Sequence, residues 1–427
     1  MDNKIKELVQ FLDGAHSNYH AVAELAKQLQ AAGYTLLQEG NAWQLTPGGK
    51  YYMTRGNSAV MAFRIPQQPA KGFLMTASHA DRSAFKIKEN GELTGNYTRI
   101  TTEKYGGMII STWLDRPLSV AGRVVVETEN GVETRLVDID KDLLLIPNVA
   151  IHMNRKVNEG YAWNLAVDTL PLFGGKNAAG KLNSILEEAA GGKILGHDLY
   201  LYIRQKASVW GAEEEFISSA ALDDLQCVWG CTQGFLAAKE STHIPVLCVF
   251  DSEETGSGGN QGAGSRLLES VLGRICSSLN YDLQQMLSQS FMISADNAHA
   301  VHPNHPELSD AANAPVINEG IVLKFNASQR YTTDGISAAV FRKICQKAGV
   351  PVQTYYNRAD TLGGSTLGYI LLAQVSVPSV DIGLAQLAMH SCYETAGTAD
   401  TLSLVTAMQK FYETKLETAV DGSYTVV

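Results

Sequence analysis

The chain has 427 residues, 45% of them hydrophobic and 18% charged, the make-up of an ordinary globular protein too long for one simple core, so two domains are expected. Its 34 Lys+Arg against 44 Asp+Glu leave a net charge of −10, which argues against nucleic acid or an anionic membrane as the main partner. No apolar run is long enough to span a bilayer, and residues 1–7 read as an amphipathic helix start without the apolar core of a secretory signal. The cysteines, among them Cys227 and Cys231 four apart on an expected helix, read as buried packing and favour a reducing, cytoplasmic setting.

Helical periodicity runs over residues 18–29 and closes at Gly33. A hairpin-like stretch covers 43–63, and 72–77 reads as a buried strand ending at Ser78-His79-Ala80-Asp81. Between about 87 and 203 short β-like runs dominate, divided by the turn signals Gly106-Gly107, Asn130-Gly131 and Pro147-Asn148. Residues 174–192 read as a mobile connection with one short helix. After 222 the pattern alternates, with helices at 222–236, 262–276, 365–372 and 402–416 and strands at 246–251, 291–295, 321–324 and 352–355. The expectation is an α/β domain interrupted by a largely β insertion.

Glu253–Glu254 is the most informative local feature. The pair ends the apolar run 246–252 and precedes the glycine-rich loop 256–262, so two carboxylates stand at the edge of an α/β sheet, where such folds bind ligands. Adjacent acids repel and raise each other's pKa unless a cation or proton lies between them. One is therefore expected to hold a metal while its neighbour acts as a general base. The longer run Glu213-Glu214-Glu215 follows Trp210-Gly211-Ala212 instead of a buried strand and reads as a solvated loop or helix start.

Other ligand-type side chains also stand at the ends of elements. His79 and Asp81 follow a strand, Asp223 and Asp224 open a helix, Asp296 follows the strand 291–295, and His390 lies in Ala388-Met389-His390-Ser391. A lone His or Asp in such a place is usually a cap or a satisfied core group, but their recurrence along one sheet makes chance a poor account. Zinc accepts imidazole nitrogen and carboxylate oxygen, and two metals about 3.5–4 Å apart need a bridging carboxylate. Asp223 is the natural bridge, with His79 and Asp296 completing one metal and Glu254 and His390 the other. Asp81 is placed to accept the second N–H of the His79 imidazole, and Glu253, itself no ligand, to take a proton from the activated water.

Ser78-His79-Ala80-Asp81, Leu222-Asp223-Asp224-Leu225, the run from Phe250 to Ser257, the run from Ser294 to Pro303 and Met389-His390-Ser391 resemble the aspartyl aminopeptidase/aminopeptidase I family of dizinc metallopeptidases. Asn18-Tyr19-His20-Ala21-Val22 and Ala150-Ile151-His152-Met153-Asn154-Arg155 extend the likeness over nearly the whole chain. The resemblance implies a three-layer αβα metallopeptidase domain, residues 1–88 and 216–427, with an inserted mainly-β dimerisation domain, 89–215. It implies two divalent ions, zinc with cobalt or manganese as substitutes, on the five ligands above, with Glu253 as base and Asp81 beside it. It also implies that His152 reaches the active site of a neighbouring subunit. Dimers formed through the insertion would build dodecamers, and the substrates would be peptides with a free N-terminus.

Three places depart from the family's pattern: Ala80-Asp81-Arg82-Ser83 where Thr-Asp-Ser-Pro is common, Asp224 where an Asn is usual, and Cys392-Tyr393 where an Arg is usual. They remove no expected ligand and bear on the substrate pocket and the fine tuning of the metals. Lys324 or Arg330 is placed to meet an acidic side chain, and a plain surface charge is an equal reading for either. His299 and His302 read as supporting or loop-fixing groups. The loop 256–264 has Gln261 at the third glycine of the dinucleotide fingerprint, which argues against phosphate binding. Gly363-Gly364-Ser365-Thr366 reads as a carboxylate-binding turn or as a plain capped one. The expected function is a metallo-aminopeptidase. Its rivals are a carboxypeptidase or amide deacylase on the same scaffold and a non-catalytic assembly or cargo protein, the last opposed by the complete ligand set with Glu253.

Overall fold

The computed structural model describes residues 2–427; Met1, where the expected first helix starts, lies outside the described residues, as does the side chain of Ala419. Among the described residues a nine-stranded sheet runs in the order Thr35–Leu36, Lys50–Arg55, Ala59–Arg64, Ile244–Phe250, Phe73–His79, Phe291–Ala295, Ser379–Gly383, Ile321–Phe325 and Val352–Tyr356. Ile244–Phe250, Phe73–His79, Phe291–Ala295 and Ser379–Gly383 are parallel neighbours, so their C-terminal ends open on one edge.

These strands are buried on both faces, which is why they read as unbroken apolar runs. Along Ile244–Phe250, Leu247 and Val249 pack toward the helices Asn3–Gly14, Asn18–Ala31, Leu222–Ala237, Gly335–Ala348 and Thr398–Glu413. Val246, Cys248 and Phe250 point the other way, toward Leu267–Leu279, Leu283–Ser288 and Leu367–Leu372. The result is a three-layer αβα arrangement. The helix that starts at Leu222 is pressed against Thr398–Glu413 through Gly230 and Gly234, where an added Cβ would lie 2.5 Å from Leu404 Cδ2 and from Met408 Cβ. That close packing fixes where Asp223 emerges.

A second, six-stranded antiparallel sheet pairs Gly131–Asp138, Leu118–Thr128, Ile194–Ile203, Ala84–Leu93, Tyr97–Tyr105 and Leu172–Gly175, and has its own core with the helix Lys181–Ala190. Ser208–Trp210 and Phe216–Ser219 join a third sheet with Glu394–Gly397, Ala385–Leu387 and Ala298–His299. Glu213-Glu214-Glu215 falls in the turn between the first two of these strands. The fold is α/β with an added β-rich part. The helix Gly335–Ala348 and the inner strand Ser379–Gly383 were not anticipated from the sequence. All six cysteines are buried thiols, and no helix among the described residues is long and apolar enough to cross a membrane.

Just before Ile244, His243 is fully buried. Burial lowers its pKa from 6.5 to about 4. The unfolded chain therefore takes up a proton that the folded chain refuses. Stability is complete above the unfolded value of 6.5 and falls by up to about 3 kcal/mol as pH drops through the folded value near 4. Thermal melts across this window should show His243→Gln losing less stability on acidification than the parent chain; parallel curves would contradict the assignment.

Candidate active site

The chain leaves Ile244–Phe250 through Ser252, held at φ +65°, and enters the short turn Glu253–Thr255. A left-handed serine costs on the order of 1–3 kcal/mol and needs a counterweight. Asp81, beyond the neighbouring strand, supplies it. Its Oδ1 accepts the Glu253 N–H at 3.0 Å and its Oδ2 the Glu254 N–H at 3.1 Å, while the Tyr105 hydroxyl donates to Oδ2 at 2.8 Å. From the other side Asn18 Nδ2 donates to Asp251 Oδ1 at 2.9 Å, which is what the first residue of Asn18-Tyr19-His20 does here.

His79 is buried at the end of Phe73–His79, and its Nδ1 lies 3.1 Å from the Asp81 carbonyl oxygen. The Asp81 carboxylate, expected to take this N–H, stands at 3.4 Å because it is occupied by the Glu253 and Glu254 amides. A carbonyl only accepts, so Nδ1 carries a proton and Nε2 is turned toward Asp223 Oδ1, 3.5 Å away, and Asp296 Oδ1, 3.9 Å away. His390 repeats the pattern. Its Nδ1 donates to the Gly107 carbonyl at 2.6 Å, and its Nε2 faces Asp223 Oδ2 at 3.3 Å and Glu254 Oε2 at 3.4 Å. Asp223 thus presents one oxygen to each imidazole.

Asp224, joined to Asp223 by a cis peptide, lies behind His79 and accepts that residue's backbone N–H at 3.2 Å. Asp223 Oδ1 and Asp224 Oδ1 are buried without a hydrogen-bond partner. Ligand atoms of Asp223, Glu254 and His390 lie within 4.8 Å of one another, as do those of His79, Asp224 and Asp296. Carboxylates buried this close together, some with orphaned oxygens, are unfavourable unless protons or cations lie between them. The donor set of imidazole nitrogen and carboxylate oxygen fits zinc.

The charges bear this out. Burial, then repulsion from Asp296, Asp223 and Asp81, raises Glu253 to about 8, against the pull of His79. Burial and Asp223 raise Glu254 to about 7. Burial pushes His79 down, but the facing Asp223, Asp296 and Asp81 carry it well above its ordinary value. Asp223, pushed up by burial, is held far below its own by His390 and His79.

Sequence reasoning missed Glu394. Buried at 3% exposure, it accepts the Asp223 N–H on Oε2 at 3.0 Å and the His390 N–H on Oε1 at 2.7 Å. His390 has φ +67° and Ala388 φ +55°, so the ligand loop needs such a tie. The only signal was a glutamate four residues after a candidate ligand. Burial first, then Asp223, raises the Glu394 carboxyl to about 8.

Asp223, Glu253, Asp296 and His390 line a cleft of about 330 Å³, walled by His299, Lys324, Tyr331, Tyr355 and Gly364-Ser365-Thr366. Lys324 is buried, and its ammonium donates to the Asp296 and Asn297 carbonyls at 2.6 and 3.2 Å, so it anchors the loop carrying Asp296. Arg330 donates to the Gly363 carbonyl at 3.2 Å. His302 accepts the Asn304 N–H in its own loop, outside the cleft lining. His152 is exposed and the fold does not bring it to the cleft.

Residues 11–412 match the family described as aminopeptidase I zinc metalloprotease (M18). A probable M18 family aminopeptidase 2 of Clostridium novyi is 43% identical over 96% of this chain and 100% of its own length. Among solved structures, a chain of the Ape4 and Nbr1 complex superposes with a TM-score of 0.92 at 35% identity, over 95% of this chain and 84% of that one. The dodecamer of Saccharomyces cerevisiae mApe1 gives 0.85 at 26% identity, over 96% of both chains. The chain belongs to the M18 family of aminopeptidase I zinc metalloproteases and is a zinc-dependent aminopeptidase.

Proposed function

We propose that this aminopeptidase works with two divalent ions, zinc in first place with cobalt or manganese as substitutes. His79, Asp296 and Asp223 would hold the first, and His390, Glu254 and Asp223 the second. The observation that carries this reading is that the Nε2 atoms of His79 and His390 face different oxygens of the one Asp223 carboxylate. Asp223 is preferred to Asp224 as the shared ligand because it lines the cleft and faces both imidazoles. Ions so held supply Lewis acidity, lowering the pKa of water and polarising the scissile carbonyl.

Glu253 is the proton carrier. Its carboxylate lines the cleft, raised by burial and then by Asp296, Asp223 and Asp81; with the metal sites filled it would be ionised, able to take a proton from water and pass it to the departing amine. Asp81 acts through the turn it holds. The substrates are peptides with a free N-terminus, whose amine binds beside the carboxylates of the cleft.

The enzyme acts as a homo-oligomer in the cytoplasm. Dimers form through the β-rich insertion, residues 89–215, and assemble into dodecamers as in mApe1. The support is an exposed apolar group around His152, with Val149 and Ile151 each 49% exposed and Met153 84%, which a partner subunit would cover. His152 then serves a neighbouring cleft.

Turnover of matched peptides with free and N-acetylated termini, with and without chelator, tests the reading. Acetylation and chelation should each abolish turnover, and zinc at about 100 times its Kd should restore it and add about 2.7 kcal/mol of stability. Cleavage of the acetylated peptide would overturn the aminopeptidase assignment in favour of an amide hydrolase.

A further inference from the structure

We infer that Tyr105-Gly106-Gly107, the strap where the six-stranded sheet ends against the cleft, is a working part of the metal centre, with Tyr105 as a positioning residue. The inference rests on the two-ion reading above. Three consecutive residues touch three parts of the site. The Tyr105 hydroxyl donates to Asp81 Oδ2 at 2.8 Å, on the carboxylate that holds the Glu253 and Glu254 amides. The Gly107 carbonyl accepts His390 Nδ1 at 2.6 Å, and Ile109 N–H returns a bond to the His390 carbonyl at 2.9 Å.

Between them, Gly106 closes on Glu254. It has φ +76°, and an added Cβ would lie 2.6 Å from Ser83 Oγ and 3.0 Å from Glu254 Oε2. Ser83 donates to both oxygens of Glu254, at 3.0 Å from its N–H and 2.9 Å from its hydroxyl, so that carboxylate is trapped between a serine and a glycine. Only glycine fits there, on both conformational and steric grounds.

The strap is stiff. The Tyr105 ring meets Tyr200 of the same sheet edge-on, with centroids 5.4 Å apart, which fixes where its hydroxyl points. An imidazole's second nitrogen sets the tautomer and orientation it offers a metal, and the carbonyl that does this for His390 comes from the β-rich sheet. That sheet therefore completes the centre within its own chain, in addition to any contact it makes with another subunit.

The test compares zinc affinity, by competition with a chelating dye, with kcat, KM and the melting temperature of zinc-free protein. Tyr105→Phe keeps the ring and removes one hydroxyl, and should weaken zinc binding and lower kcat by about 10-fold each with KM unchanged. Gly106→Ala should weaken zinc binding by about 100-fold. Tyr97→Phe, on the same strand but 62% exposed, should match the parent in every measurement. Parent-like zinc affinity in Tyr105→Phe overturns the inference, as does a loss of melting temperature with zinc affinity intact. Should Gly106→Ala fail to fold, Tyr105→Phe decides alone. The zinc content of the parent, measured in parallel, reports on the underlying two-ion reading: with fewer than two zinc ions per chain at saturation, that reading fails whatever the strap variants do.

Discussion

Glu253→Gln lowers kcat by about 10²–10⁴-fold and leaves zinc content, zinc affinity and melting temperature as in the parent. The glutamine keeps the shape and can still donate and accept hydrogen bonds, but it cannot take a proton. The Glu253 backbone stays on Asp81, because that bond uses the main-chain N–H. The Glu253 carboxylate belongs to neither cluster of close ligand atoms, so metal binding is untouched. Removing a carboxylate that burial and then its acidic neighbours raise to about 8 also relieves desolvation and repulsion, so no loss of stability is expected. Steady-state kinetics with metal analysis on one preparation check all of this. Parent-like turnover removes Glu253 from the mechanism, and zinc loss would make it a ligand.

Glu394→Ala is the second large effect, and it has a different signature. The alanine leaves the Asp223 and His390 N–H groups buried and unpaired, which costs about 1–3 kcal/mol for each. It also frees the left-handed His390 from its tie. Zinc affinity and turnover should therefore fall together, each by about 10–100-fold, alongside a lowered melting temperature. Glu394→Gln, which still offers one acceptor oxygen, should recover part of the zinc affinity. A loss of stability with zinc affinity unchanged would show that Glu394 only packs.

These two glutamates mark how far the sequence could be read. Glu253 was legible because it stands where a doubly buried strand meets a glycine loop, and local chemistry identifies such a place. Glu394 was not, because the partner that makes it part of the site, Asp223, comes from 171 residues away and meets it only through folding. The strand Ser379–Gly383 escaped notice for a related reason. Asp381 sits at its centre, and a buried aspartate suits a strand only when distant groups satisfy it, here the Thr366 hydroxyl at 2.7 Å and the Thr332 N–H on its carboxylate, with Thr333 bonding its main chain. The helix Gly335–Ala348 carried a readable signal that was passed over, an Asp334 cap answered by Ser337 and a closing Gly349. Ser337 stands where the usual pattern has Glu or Gln. The Asp81 carboxylate was placed near the right group, but which of its oxygens and which backbone amides it would meet depended on how the Glu253–Thr255 turn lies.

The central claim is that Asp223 is shared by two ions while Glu253 binds neither. Diffraction at the zinc absorption edge from crystals of the zinc-loaded protein tests it directly. The account predicts two anomalous peaks, one against His79 and Asp296, the other against Glu254 and His390, each reached by a different oxygen of Asp223. A single peak, or one coordinated by Glu253, would contradict it.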